Sequence, residues 1–316
     1  MGLRRRTWFL IRLAIYVAVI AVLFLARGAP DWRAIGRLVT GKAAVESVLT
    51  IAGLDLAPEL IAPLVEHYRR DYPKLTVTLN PGGTNRALED LLNRRADVAF
   101  LYRPPTVAEQ ALFKTIDGDT AVVVPVAIGA VALLTAAGGE SAALDTAAVR
   151  RLLGTGRAAG CERLYVPDPN DGLWEAAHER LGAAPLDDAA AAAAGVVFLA
   201  DAAAVANAVV ADPRACGLVS SFSLRLAADS PYVARPVRGG LAGAPAHPTY
   251  ANLVTGSYPL YHWLYAACRG RGGIEGAKFV THLASARGQR QVRRTGAVPA
   301  QQVAREIVVT REPPGD

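Results

Sequence analysis

The chain has 316 residues, 52% of them hydrophobic, enough apolar material for one or two ordinary cores, which excludes global disorder. Its formal net charge of +6 rests mainly on arginine, concentrated in "GLRRRTWFLIRLA" and "GQRQVRRTG". No zinc-finger, RNP or basic-helix pattern accompanies it, so solvated basic faces are expected rather than a nucleic-acid surface.

At the N-terminus, Arg4, Arg5 and Arg6 precede a largely apolar run over residues 7–26, broken by Arg12 and followed by Arg27 and Asp31. About 20 apolar residues cross a bilayer, and the positive flank stays on the cytoplasmic side. The sequence therefore predicts a single-pass transmembrane signal anchor over 1–27, with everything after it extracytoplasmic. "LARGAPDW" is a poor cleavage site, with Pro30 directly after Ala29, so an uncleaved anchor is expected. No cysteine precedes Cys161, which excludes a lipid-modified N-terminal cysteine. Trp8 and Trp32 flank the anchor at interfacial positions, and a polar linker fills 28–46.

The remaining chain alternates. "VLTIAG" reads as a strand, "APELIAPLVEHYRRDYP" as a helix, "LTVTLN" as a strand, "TNRALEDLLNRRA" as a helix and "DVAFLY" as a strand. Such alternation predicts a doubly wound parallel sheet with helices on both faces. A second α/β unit follows: apolar strands in "DTAVVVPVAIGAVALLT", a helix in "LDTAAVRRLLGTG", then "RLYVP", "GLWEAAHERLG", "GVVFLA", "DAAAVANAVVADP" and "CGLVSS" as strand, helix, strand, helix and strand. Gly154 is the expected cap of the first of these helices, and the alanine run 189–194 reads as a helix end or loop. Another strand is expected within "NLVTGSYPLYHWLYAACRG", then one helix over "EGAKFVTHLASARGQRQVRRTG", then a disordered tail at 310–316.

No enzyme constellation is present. His67, His178, His247, His262 and His282 are dispersed, and HExxH, GxSxG and GxxxxGK[ST] are all missing. His178 in "HER" reads as part of a solvated helix face, and Trp174 and Trp263 as core or lobe-interface residues. Cys161, Cys216 and Cys268 show no metal spacing; Cys161 and Cys216 each begin a strand candidate and form the pair to test for oxidation, against buried free thiols. No cofactor, metal or catalytic residue is expected.

"TGSYPLYHWLYAA", "GQRQVRRTGAVPA", "DPRACGLVSSFSL" and "IAGLDLAPELIAPLVEHY" together resemble the PstS-like phosphate-binding proteins of the type II periplasmic-binding superfamily, over about residues 48–302. The resemblance implies an α/β, two-lobed type II periplasmic-binding-protein fold that closes on a small solute without covalent chemistry. Lobe I would comprise 47–124 plus 258–309 and lobe II 125–257, with chain crossings near 122–128 and 258–267. It also implies four ligand loops. The first contributes Gly53 and Asp55, where the family has a hydroxyl residue; the second Gly83 and Thr84; the third Tyr102 and Arg103. In the fourth, the family's Arg-x-x-x-Ser-Gly-Thr becomes "PDPNDGL", keeping only Gly172 and introducing Asp171.

A buried phosphate needs an arginine fork with hydroxyl and amide donors, so tight phosphate binding in the family's manner is not expected. Arg103 and Thr84 would favour an oxyanion; Asp55 and Asp171 would favour an amine or a metal-bridged solute. Asp171 either meets a new ligand or fills the site itself, with Asn170 or Asp171 capping the helix that follows. Two roles follow: a membrane-anchored solute-binding protein working with an ABC permease, or a degenerate binding domain kept as an envelope sensor or scaffold.

Overall fold

The computed structural model describes residues 47–301, apart from 139–141, 159, 184, 185, 187, 228, 242 and 272. The expected anchor, linker and C-terminal tail lie outside the described residues. Among the described residues no helix is long and apolar enough to cross a membrane.

Short runs rich in leucine and β-branched residues form β1 (Ser47–Ala52), β2 (Leu75–Asn80) and β3 (Val98–Leu101), joined by α1 (Pro58–Asp71) and α2 (Gly83–Leu92). The next helix, α3 (Val107–Asp117), has no counterpart in the sequence reading. Thr106 and Glu109 start it with a capping box, Glu109 N–H donating to the Thr106 hydroxyl at 3.3 Å and Thr106 N–H to the Glu109 carboxylate at 2.6 Å. The following apolar run is one strand rather than several, β4 (Ala121–Ala136).

Then come β5 (Leu144–Asp145), α4 (Thr146–Thr155), β6 (Arg163–Pro167), α5 (Leu173–Arg180), α6 (Asp188–Ala193), β7 (Val196–Leu199), α7 (Ala202–Ala211) and β8 (Ala215–Ser220). The chain ends through β9 (Tyr232–Ala234), β10 (Val237–Arg238), α8 (Tyr250–Val254), β11 (Tyr261–Arg269), α9 (Ile274–Ala284), α10 (Ala286–Arg294) and β12 (Val298–Pro299).

The result is a mixed α/β, two-lobed fold in which the strands run β2-β1-β3-β11-β4-β8-β6-β7. The groups β2-β1-β3 and β8-β6-β7 are parallel, but β11 and β4 are antiparallel to their neighbours, so the sheet is not uniformly parallel. β4 joins the two groups. It pairs with β11 over residues 121–130 and with β8 over 131–134. Leu49, Ile51, Phe100, Leu133, Leu164 and Leu218 are buried in one continuous core, and each such side chain contributes about 1.5–3 kcal/mol by leaving water.

Four local expectations need correction. α4 runs one residue past Gly154 and is capped by Gly156 at φ 64°. The alanine run belongs to a short helix, α6. The expected single C-terminal helix breaks at Ser285, whose hydroxyl accepts from Gly288 N–H at 3.2 Å and caps α10. His178 is buried, not solvated: it lies one turn after Trp174, with Nδ1 2.9 Å from the Trp174 carbonyl oxygen and its ring edge-on to the indole.

The segments that carried the family resemblance are structural joints. Buried Tyr258 donates its hydroxyl to the Val131 carbonyl at 2.7 Å, on the stretch where β4 changes partners. Buried Gln289 donates to the carbonyls of Val126 and Leu283 and accepts from Gln301 N–H, tying α10 to β4 and to the end of the described chain. Cys161 and Cys216 form a disulfide with Cα atoms 5.4 Å apart, beside a fully buried Arg235 whose Nη1 is 3.3 Å from Cys161 Sγ. Cys268 is a free, buried thiol.

Candidate functional site

The loops after β1, β2, β3 and β6 converge where an open α/β fold offers its strand ends to a ligand. Gly53, at φ 83°, lets the first loop turn against β3, since a Cβ there would come 2.5 Å from the Phe100 carbonyl oxygen. The turn delivers Asp55. Its carboxylate accepts from Gly82 N–H at 3.0 Å and from Gly83 N–H at 3.0 and 3.2 Å. Those N–H groups open α2, whose cap residue Gly82 has no side chain to satisfy them. A carboxylate from a distant loop therefore stands where a helix N-terminus would otherwise attract a ligand anion.

The rest of the second and third loops is equally committed. Thr84 is buried, and its hydroxyl accepts from Tyr102 N–H at 2.9 Å. Tyr102 is buried as well and donates its own hydroxyl to the Leu56 carbonyl. Arg103 forms a fork on Glu109, at 2.8 and 3.0 Å, and reaches Asn85 Oδ1 at 2.8 Å. Burial opposes the Glu109 charge, but Arg103 and the Thr106 cap outweigh it and hold this carboxyl below its usual range. The guanidinium that would clasp an oxyanion is spent on Glu109 and Asn85.

In the fourth loop, Asp168 Oδ1 accepts from Asn170 N–H at 2.8 Å, and Asp171 Oδ1 from Leu173 N–H at 3.1 Å at the start of α5. Burial pushes the Asp171 carboxyl up to about 7; the Leu173 N–H works against this, and the Asp55 charge adds to it. This loop is in contact with the second. A Cβ on Gly83 would lie 2.4 Å from the Asn170 carbonyl oxygen, and one on Gly172 2.6 Å from Thr84 Oγ1. No anion fits between backbones that approach this closely.

All eight expected residues thus gather at these loops, but in three roles. Gly53, Gly83 and Gly172 permit close approach; Thr84, Tyr102 and Arg103 hold neighbouring protein groups; Asp55 and Asp171 occupy free N–H groups. Beside them a cavity of about 470 Å³ has Asp55, Asp168, Asp171 and Asp201 in its wall and no lysine or arginine. Among the described residues no cluster of His, Cys, Asp and Glu is arranged to hold a metal ion.

The sequence reading missed Glu109, Asp201 and the backbone part played by Asn170, which it offered only as an alternative to Asp171 for capping the helix. "TVAE" is a recognisable capping box that marks Glu109, and Asp201 precedes an alanine-rich helix as its cap, donated to by Ala204 N–H at 2.7 Å. Asn170 acts through its backbone carbonyl, which leaves no trace in residue type.

Solved structures share this architecture. A Clostridium perfringens protein assigned as a phosphate ABC transporter substrate-binding protein, with bound phosphate, aligns at TM-score 0.63 and 15% identity, over 81% of this chain and 100% of its own. An ABC-type phosphate transport receptor from Vibrio cholerae aligns at TM-score 0.59 and 14% identity, over 80% and 100%. A sulfate-bound OxyR2 regulatory-domain variant from Vibrio vulnificus aligns at TM-score 0.51 and 14% identity, over 79% and 96%. At such identities these likenesses concern the fold. No curated protein matches the chain by sequence. A family model for the PBP superfamily domain matches residues 38–287, most of the chain, and the protein belongs to that superfamily.

Proposed function

We propose that the chain is a non-catalytic extracytoplasmic member of the PBP superfamily, held at the membrane by residues 1–27, whose phosphate-type cleft is filled by its own carboxylate. The division into lobe I (47–124 plus 258–309) and lobe II (125–257) is part of this reading. The observation that carries it is Asp55 on the Gly82 and Gly83 N–H groups, while Gly83 lies against the Asn170 backbone. The phosphate-bound fold relative supports a solute-binding ancestry. The filled subsite and the spent Arg103 favour an envelope sensor or scaffold over an ABC-transport receptor for phosphate.

A second reading draws on the acidic cavity of about 470 Å³: a solute entering there would be selected as a cation by Asp55, Asp168, Asp171 and Asp201. Calorimetry on the full chain in detergent, with phosphate, sulfate and simple amines, separates these outcomes. Silence towards both anions is expected. Micromolar phosphate affinity would sink the filled-cleft reading, and amine binding would select the second.

A further inference from the structure

A different cavity, of about 230 Å³, lies between α5 and β11 and is lined by Glu179, Arg180, Tyr261, Trp263 and Tyr265 among others. The three aromatic residues alternate along β11, so the pleat places them on one face. All three are only partly buried. A row of large rings left half open at a concave surface is a binding signature rather than a packing one. Neighbouring ring centroids are 6.4 and 6.5 Å apart, inclined at 85° and 40°, so the rings form a row of inclined faces along the cavity wall and not one flat platform.

The charges beside this row of rings are opposite in sign, and neither is held in an ion pair among the described residues. Arg180 already lays its guanidinium carbon 3.7 Å from the centre of Tyr261, and its Nε donates to the Pro259 carbonyl at 2.8 Å. Among the described residues, nothing else holds that guanidinium, and nothing forms an ion pair with the adjacent Glu179 carboxylate. Glu179 stands near enough to add to the effect of burial in holding the Tyr265 phenol above its usual range. His262, which also lines the cavity, has its Nε2 2.9 Å from the Ser220 hydroxyl oxygen, and burial keeps it neutral. Arg103 nearby is neutralised by Glu109.

We propose that this cavity binds a small zwitterionic ammonium compound, its ammonium against Trp263 and Tyr265 beside Glu179 and its anionic end on Arg180. Aromatic faces attract a weakly hydrated alkylammonium, and two opposite charges on consecutive residues match a molecule carrying both within a few ångströms. A plain cation meets Arg180, and a plain anion meets Glu179. The proposal does not rest on the filled cleft, because phosphate titration and this one read different residues.

The test is calorimetric titration of the full chain in detergent with glycine betaine, choline, acetate and glucose as probes. Glycine betaine is expected to bind saturably, with choline and acetate at least about tenfold weaker. Glu179→Gln and Arg180→Gln, both at exposed positions, are each expected to weaken betaine about tenfold, and Trp263→Leu to abolish binding. Arg214→Gln, at a remote exposed site, serves as the control. The proposal is overturned if betaine gives no saturable heat at millimolar concentration, if choline or glucose binds as tightly, or if both exposed variants bind betaine like the parent chain.

Discussion

Replacing Asp55 with alanine tests the site most directly. It removes the acceptor of the Gly82 and Gly83 N–H groups at the start of α2. Losing a helix cap costs about 0.5–2 kcal/mol, and the exposed position of Asp55 places the loss near the middle of that range, about 1 kcal/mol. For a domain of this size that lowers Tm by about 2–4 °C. Anion binding should move the opposite way. In the parent chain, an anion at these N–H groups would sit roughly 4 Å from the Asp55 charge, a repulsion of about 1–4 kcal/mol between bulk-water and near-surface screening. Its removal raises affinity by about fivefold to a thousandfold. Asp55 and Gly82 also border a cavity of about 880 Å³ whose wall carries Arg86 and Arg95 along with Glu89 and Asp90, so the anion has a route that avoids both the Gly83–Asn170 contact and the more acidic cavity. Asp55→Asn keeps an oxygen acceptor and should lose less stability. Differential scanning calorimetry and phosphate titration read both effects. An Asp55→Ala protein with unchanged Tm and no gain in phosphate affinity would refute the assignment of this carboxylate as the resident anion.

Asp171, held at about 7, binds its proton more tightly in the fold than in the unfolded chain. Its contribution is therefore full below the ordinary carboxylate range and is lost as pH rises from about 4 to 7, by up to about 4 kcal/mol. Asp171→Asn, which can still accept from Leu173 N–H, should flatten the fall in Tm over that interval. Gly83→Ala would require a left-handed backbone and a clash with Asn170, and a destabilisation of at least about 2 kcal/mol is expected by chemical denaturation. Reduction of Cys161–Cys216, 55 residues apart, should cost about 3–4 kcal/mol. Without reductant, a thiol reagent should find one group, Cys268, and only after unfolding.

The strands were legible because their apolar runs are short and sharply bounded. The expected division of β4 into several strands fails, although Pro125 and Gly129 within it are residues that often break a strand. Pro125 instead sits at the register irregularity opposite Leu264 and Tyr265, and Gly129 makes room for the Phe222 and His262 side chains. α3 escaped notice because Phe113 is its only fully buried apolar side chain, too thin a stripe to show a helical period. At the site, the sequence exposed the loss of phosphate ligands and raised an internal carboxylate, but assigned that part to Asp171. The donors that Asp55 satisfies lie 27 and 28 residues away, a contact that only the convergence of two loops creates.

The backbone contact between Gly83 and Asn170 has a consequence for the proposed scaffold role as well as for binding. A ligand shifts a conformational equilibrium only by its preference for one state. Where the chain's own atoms already supply the closing interactions, no solute concentration is encoded in the shape. Under the proposed scaffold role, a partner that recognises this form would meet a constant rather than a variable, and the information it receives would be how many copies of the protein are present.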